Sequence, residues 1–204
     1  IASCLVGSEM CIRDRYNPNT TIVEMDTVHG TRSGKVLLTF IFRSCSLMIA
    51  FIIDSCSELA VREAIDKLYE VLGHELFKQY FPVILTDNGS EFKDPESLEL
   101  DTEGNQRTKV FYCNPMASYQ KPYVEKNHEY IRYIIPKGTS LNDRTQEDIT
   151  LMMNHINNAA RASLNGNTPF KLAQMLLDNS LLDKLSLKYI PADEIHLKPA
   201  LLKK

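Results

Sequence analysis

The stretch VILTDNGSEF, residues 83 to 92, joins a short apolar run to a carboxylate and a turn. Its first four residues, 83 to 86, are apolar or β-branched and predict a buried β-strand. Asp87 follows where this strand should end, and Asn88-Gly89 predicts a tight turn directly after it. Such a turn leaves the Asp87 side chain at the mouth of the strand, with space beside it for a ligand.

Four further strands and several helices are predicted around this strand. Apolar patterns predict strands over residues 22–28, 35–42, 47–53 and 109–113. Capping signals and apolar periodicity predict helices over residues 57–73, 119–134, 146–162 and 169–177. This order predicts an α/β fold with a mixed five-stranded sheet flanked by helices. The first three strands would form an antiparallel meander, and the first helix would cross over to a parallel fourth strand.

Composition and charge restrict the class of protein. The chain has 204 residues, of which 44% are hydrophobic, enough for one well-cored domain with at most a small appendage. Its net charge of −3 gives no overall basic surface, so any contact with nucleic acid must be local. The apolar run over residues 36–53 contains Arg43-Ser44-Cys45-Ser46 at its centre, which favours two core strands over a membrane span. Five cysteines without a CxxC pair indicate reduced thiols in a cytosolic protein.

The two ends of the chain differ from its centre. Within residues 1–15, the stretch CLVGSEMCIRDR resembles a translated sequencing adapter. We interpret residues 1–15 as non-native, 16–180 as the core domain and 181–204 as a C-terminal tail. The alternative is that residues 1–15 form a genuine N-terminal arm. If they are non-native, the true N-terminal part of the protein is missing from this sequence.

Three carboxylates are predicted to face one edge of the sheet. Asp26 lies in the first strand, Asp87 ends the fourth, and Glu125 lies in the first turns of the helix after the fifth. Ligands bind at the carboxyl ends of parallel strands in folds of this kind. Clustered carboxylates repel one another unless a cation binds them, and an all-oxygen set suits Mg²⁺ or Mn²⁺. Two such ions can assist displacement at phosphorus, by activating the attacking oxygen and stabilising the leaving oxygen.

Three segments, in this order, resemble the transposase and retroviral-integrase superfamily. They are DNGSEF (87–92), CNPMASYQKPYVEKNHEYIRYIIPKGT (113–139) and NNAARASLNGNTP (157–169). The resemblance spans roughly residues 20 to 180. Among the branches of this superfamily, the chain looks most similar to the IS-thirty family of bacterial insertion-sequence transposases.

This resemblance implies a ribonuclease-H-like catalytic core with an Asp-Asp-Glu triad at Asp26, Asp87 and Glu125. The triad would bind two Mg²⁺ or Mn²⁺ ions, and Asn88 and Gly89 would form the turn at the active site. The implied enzyme is a DNA strand-transferase, a polynucleotidyl transferase acting on insertion-sequence ends and target DNA. The resemblance also implies a homo-oligomer in the active complex and a place in the bacterial cytoplasm, at the nucleoid.

Four departures from the family pattern affect these expectations. Between Asp87 and Glu125 lie 37 residues, more than the usual thirty-odd, and the excess fits an acidic stretch at 93–105 that we interpret as a solvated loop. Pro122 stands where many relatives have Gly, and proline fits the first turn of a helix. His128 stands where relatives often carry Asn. Relatives normally have a helix-turn-helix region before the core, which is absent from this sequence.

Basic residues concentrate near Glu125 despite the negative net charge. Residues 107 to 137 hold six basic and two acidic side chains. On the predicted helix, positions i, i+4, i+7 and i+11 share one face and could follow DNA phosphates. The residues predicted to contact DNA are Lys121, Lys126, His128, Arg132 and Lys137. The alternative is a solvated helix face.

Three functions are compatible with these features. The first is strand transfer, in which water frees a 3′-OH at a transposon end and that 3′-OH attacks target DNA. The second is a nuclease of the same fold, for which hydrolysis is the endpoint. The third is an inactive DNA-binding or assembly fragment of a transposase. A joined DNA product distinguishes the first two, and metal binding by the triad distinguishes both from the third.

Overall fold

The computed structural model describes residues 20–114 and 118–202, and the adapter-like segment lies outside these ranges. Five strands form one mixed sheet in the order β3-β2-β1-β4-β5. They are β1 Ile22–His29, β2 Val36–Phe42, β3 Met48–Ile53, β4 Val83–Thr86 and β5 Lys109–Tyr112. Strands β1 to β3 pair antiparallel, whereas β4 pairs parallel with both β1 and β5. The predicted meander and parallel fourth strand are therefore confirmed.

Within the described ranges, seven helices surround the sheet. They are α1 Glu58–Leu72, α2 His74–Tyr80, α3 Pro95–Glu99, α4 Pro122–Ile134, α5 Gln146–Asn158, α6 Pro169–Leu176 and α7 Asn179–Lys184. The predicted caps form: Ser57 accepts the Ala60 N–H of α1, and Thr168 accepts the Lys171 N–H of α6. Helix α4 begins with Pro122 in its first turn, where the missing proline N–H costs no hydrogen bond.

The acidic stretch at 93–105 is accessible to solvent except at Leu98, as predicted, but part of it is a helix rather than a loop. It contains α3, which Asp94 caps by accepting the Ser97 N–H at 3.2 Å. Leu98 is buried in the core. The fully buried Arg107 donates to the Leu98 carbonyl at 3.0 Å, which holds this stretch against the core. Burial of Leu98 and capping by Asp94 thus stabilise a short helix within this acidic sequence.

The register of β1 and β2 decides which helices cover which face. Met25 lies opposite Phe40, and the Phe40 ring contacts Phe81, just after α2, with centroids 5.8 Å apart. The next pair, Asp26 and Thr39, points to the other face. There Thr39 contacts His128 of α4 at 2.9 Å. Helix α4 therefore covers the face that carries Asp26, and α2 packs on the opposite face.

The end of α5 is anchored to both the sheet and α4. Asn157 is fully buried, and its side chain accepts the Met48 N–H at 2.9 Å and donates to the Met48 carbonyl at 2.7 Å. Arg161 lies over the Tyr130 ring of α4 at 4.3 Å and donates to Asn127. These contacts hold α4 in place relative to the edge strand β3.

The segment after residue 180 packs on the same core. Its buried leucines are Leu181, Leu182, Leu187 and Leu202. Arg144 also donates to the Leu202 carbonyl. We therefore propose that the core extends at least to residue 202, beyond the boundary predicted from sequence. Among the described residues, no helix is both long and apolar enough to cross a membrane.

Candidate active site

The parallel pairing of β1 and β4 brings two aspartates together. Glu24 lies opposite Leu85 in this pairing, and continuing the register by two residues places Asp26 opposite Asp87. The Thr86 hydroxyl donates to the Met25 carbonyl at 3.1 Å, which fixes the two chains next to each other at this point. Both carboxylates thus lie at the edge where the parallel strands end.

The segment after β4 contacts the Asp87 carboxylate and the end of β5. The Asp87 carboxylate accepts the Gly89 N–H at 2.9 Å, and the Asn88 amide donates to the Cys113 carbonyl at 2.8 Å. A side chain at Gly89 would meet Glu91 Oε2 at 2.6 Å and Asp87 Oδ1 at 3.0 Å. A larger residue at this position would therefore displace one of these carboxylates, although the φ of −56° is open to any residue.

Lys121 places an ammonium between the two aspartates. Its Nζ lies 3.0 Å from Asp87 Oδ2 and 3.4 Å from Asp26 Oδ2. It also donates to the Met25 carbonyl at 3.4 Å, and the side chain is only 7% exposed. The Asp87 side chain, by contrast, is 47% exposed and remains open to a ligand.

Charge and burial act in opposite directions on Asp26. Burial raises the pKa of this carboxyl, and the nearby Asp87 raises it further. The Lys121 ammonium and the Thr27 N–H, which donates to Asp26 at 2.8 Å, lower the pKa. Burial is the largest of these effects, so the pKa of Asp26 is raised overall.

Glu125 lies on the same face of α4 as the residues that contact the Asp26 region. One turn before it, Lys121 reaches the aspartates; one turn after it, His128 contacts Thr39, the β2 partner of Asp26. Positions three apart share a helix face, so Glu125 lies on the side of α4 that carries His128. Its side chain is exposed to solvent.

The acidic residues fit a divalent cation, although they do not surround one position. In the part of the chain that the structure describes, no three His, Cys, Asp or Glu side chains form a group that could hold a metal ion. Asp26 and Asp87 nevertheless offer carboxylate oxygens, the ligands that Mg²⁺ and Mn²⁺ prefer. The Lys121 ammonium already occupies the space between these oxygens, which shows that the pair accommodates a positive charge.

Of the five residues predicted to contact DNA, three have partners within the protein. Lys121 is buried against the aspartates. His128 is neutral, because burial and two neighbouring cations lower its pKa to about 3. Arg132 is half-buried and donates to the His29 carbonyl at 2.9 Å. Lys126 and Lys137 are exposed, and for these two the prediction stands untested.

Two residues near the site were missed by the sequence reasoning. Glu24, on the same face of β1 as Asp26, is fully buried and contacts Arg43 at 2.7 Å. Burial raises the pKa of Glu24, and the Arg43 guanidinium lowers it. The signal was the alternation of β1, since a second carboxylate on the buried face of a central strand requires a partner.

No protein-family model matches the chain. Over 161 residues it is 29% identical to the transposase for insertion sequence element IS4351 of Bacteroides fragilis, a match to 78% of this chain and 46% of that protein. Over 151 residues it is 26% identical to the transposase InsI for insertion sequence element IS30C of Escherichia coli (strain K12), covering 74% and 37% respectively. The chain thus spans less than half the length of these curated relatives.

Among solved structures, the fold is similar to the catalytic core domain of BIV integrase. The TM-score is 0.51 at 19% identity, and the match covers 76% of this chain and 93% of that domain. By sequence and by fold, the chain is therefore similar to transposases and integrases, which confirms the resemblance and the ribonuclease-H-like α/β fold that its motifs predicted.

Proposed function

We propose that this chain is the catalytic core of an insertion-sequence transposase that cleaves DNA and transfers the cut strand. The observation that carries the proposal is the pairing of Asp26 and Asp87 around one positive charge at the carboxyl edge of the parallel strands. Ligands of α/β sheets bind at such edges. Similarity to transposases supports DNA as the substrate.

In this proposal, Mg²⁺ or Mn²⁺ is held by Asp26, Asp87 and Glu125. Mn²⁺ is the more direct probe of binding. When bound, such ions activate the attacking oxygen and stabilise the leaving oxygen. In the first step, water attacks phosphorus, the bond from phosphorus to the 3′ oxygen breaks, and a 3′-OH is released. In the second step, this 3′-OH loses its proton and attacks a target phosphodiester, whose own 3′ oxygen leaves and is protonated.

Lys121 has a defined part in this proposal. A divalent cation would compete with its ammonium for the Oδ2 atoms of Asp26 and Asp87, so we expect Lys121 to withdraw when the cation binds. Until then the ammonium offsets the repulsion between the two carboxylates. The side chain is long and flexible enough to move without displacing α4.

DNA would approach along the first turns of α4. Lys126 is exposed there, and the exposed rings of Tyr119 and Tyr123 offer stacking faces beside it. Lys137 extends this cationic surface past the end of the helix. Assembly into a homo-oligomer, a helix-turn-helix region outside this sequence and a location at the bacterial nucleoid stay predictions.

The test compares Asp26→Asn, Asp87→Asn and Glu125→Gln with the parent protein. We expect each variant to lose most Mn²⁺ binding, measured by electron paramagnetic resonance of the free ion, because each loses a charged ligand. Cleavage and joining of labelled DNA should fall with it. Glu129→Gln is the matched control, since Glu129 is an exposed acid on the same helix.

The outcomes also separate the rival functions. Cleavage without a joined product would indicate a nuclease rather than a strand-transferase. DNA binding with neither Mn²⁺ binding nor product would indicate an inactive assembly fragment. If Glu125→Gln binds Mn²⁺ and cleaves DNA as the parent does, Glu125 is not part of the triad.

A further inference from the structure

Helix α4 begins without a capping side chain of its own. Within the described chain, its N-cap position is Lys121, whose ammonium contacts the aspartates and has no acceptor atom for a capping hydrogen bond. The first N–H groups of a helix have no partner within the helix and need one from elsewhere. The N–H of Val124, the third residue of α4, donates to Glu24 Oε2 at 2.8 Å. A residue of β1 thus supplies the missing cap.

Arg43 completes this contact from the turn after β2. Its Nε donates to Glu24 Oε1 at 2.7 Å, and its Nη2 donates to the Gln120 carbonyl at 2.6 Å. Glu24 is 0% exposed, and a buried carboxylate requires both a counter-charge and hydrogen bonds. Arg43 provides the charge, and its planar fork spans from β1 to the segment that leads into α4.

The pair therefore sets the distance between two parts of the proposed site. Glu24 lies two residues before Asp26 on β1, and Val124 directly precedes Glu125 on α4. The hydrogen bond from the Val124 N–H to the Glu24 carboxylate fixes the first turn of α4 against β1. Any loosening of the bond would let Glu125 move relative to Asp26 and Asp87.

We propose that Glu24 and Arg43 are positioning residues, which fix the first turn of α4, and with it the backbone of Glu125, relative to Asp26 and Asp87 in the proposed metal site. This inference rests on the proposed function. Residues that orient metal ligands typically change metal affinity by tenfold or more when replaced. A purely structural ion pair would instead change only the stability of the fold.

The chain offers a closely matched control. Arg107 is also a buried arginine that donates to a carboxylate, that of Asp66 at 2.6 Å, and to a backbone carbonyl, that of Leu98. It lies beside α3, away from α4. Arg43→Lys and Arg107→Lys each keep the charge but lose the fork, because one ammonium cannot span both partners.

Three properties are measured on the full chain: Mn²⁺ affinity, hydrogen exchange of the Val124 amide in metal-free protein, and urea unfolding. We expect Arg43→Lys to weaken Mn²⁺ affinity about tenfold and to speed exchange of the Val124 amide by a similar factor. Arg107→Lys should reduce stability while leaving both of the other properties unchanged. Glu24→Gln is a second variant that keeps the shape of the side chain and should reproduce Arg43→Lys.

Two results would overturn the inference. One is an Arg43→Lys protein with unchanged Mn²⁺ affinity; the other is an equal loss of affinity in Arg107→Lys, which would reveal a general effect of stability. Asp26→Asn separates this failure from that of the proposed function. If Asp26→Asn leaves Mn²⁺ affinity unchanged, the metal site itself is wrong, and the inference falls with it.

Discussion

Lys121 changes the charge balance expected for a cluster of carboxylates. Three acids with no cation should repel one another, so replacing one of them should stabilise the metal-free protein. The Lys121 ammonium already offsets that repulsion for Asp26 and Asp87. An Asp87→Asn change therefore removes an attraction to Lys121 as well as a repulsion, and the stabilisation expected from sequence shrinks or disappears.

Lys121→Gln tests the competition between the ammonium and a metal ion. We expect Mn²⁺ affinity to rise several-fold, because the divalent cation no longer displaces a bound charge. In the presence of a chelator, the free energy of unfolding should fall by about 1 kcal/mol, a modest value because Asp87 is partly exposed. Calorimetric Mn²⁺ titration and urea unfolding measure the two effects.

Lys126→Gln is the control, because this substitution removes the same charge from an exposed side chain of the same region. It should change neither property by much. An unchanged Mn²⁺ affinity in Lys121→Gln would mean that the metal binds elsewhere than between the aspartates.

For single residues, the sequence predicted where a side chain lies better than which side chain it contacts. Asp26 and Asp87 were expected at one edge because strand alternation and strand ends define where such side chains point. The ion pair of Lys121 with both could not be predicted, because a lysine at a helix start reaches equally well toward solvent or toward the sheet. The pairing of Glu24 with Arg43 was equally out of reach, because Arg43 lies in a turn whose direction depends on the whole sheet.

Helix α4 presents fewer cations to solvent than its sequence indicates. The stripe shared with Glu125 faces the sheet, where His128 and Arg132 contact Thr39 and the His29 carbonyl. Periodicity showed which residues share a face, but tertiary packing decides whether that face is the covered one. The exposed lysines of this region, Lys126 and Lys137, lie off the stripe.

We therefore expect Lys126→Ala with Lys137→Ala to weaken binding of non-specific duplex DNA. For every phosphate that a lysine no longer neutralises, the slope of log affinity against log salt should fall by about 0.9. Titrations of labelled duplex at several salt concentrations measure both quantities. Lys67→Ala with Lys78→Ala is the matched control, because these exposed lysines lie on α1 and α2. Equal slopes for the two double variants would show that α4 does not contact DNA.

Both ends of every strand were predicted to within one residue, because the strands are apolar and are bounded by turn residues. Helix α5 ends at Asn158, four residues before the predicted end. There the Asn158 amide donates to the Lys188 carbonyl at 2.8 Å, a contact with a distant segment that no local pattern contains. Short helices such as α3 depend on tertiary contacts in the same way.

For the whole molecule, the described C-terminal segment is part of the core. Burial of one leucine contributes roughly 1.5–3 kcal/mol, and four leucines after residue 180 are buried. Removing them should cost at least about 6 kcal/mol, which is comparable to the total stability of a typical domain. We expect a chain that ends at residue 180 to be largely unfolded, as judged by thermal melts followed by circular dichroism.

A chain that ends at residue 202 is the control, since it keeps all four leucines. It should melt at the temperature of the full chain. A cooperative melt of the 180-residue chain at that same temperature would restore the boundary predicted from sequence.

Strand β1 pairs with β2, which is close to it in sequence, and with β4, which is far from it in sequence. The meander of β1 to β3 is built from neighbouring segments, whereas β1 and β4 are about sixty residues apart in sequence. Pairings between distant segments form late in folding, since closing a long loop costs entropy first. Asp26 and Asp87 lie on the two sides of this seam. A fluctuation that opens the seam would separate the two aspartates while the meander stays paired, so the proposed metal site should be lost before global unfolding.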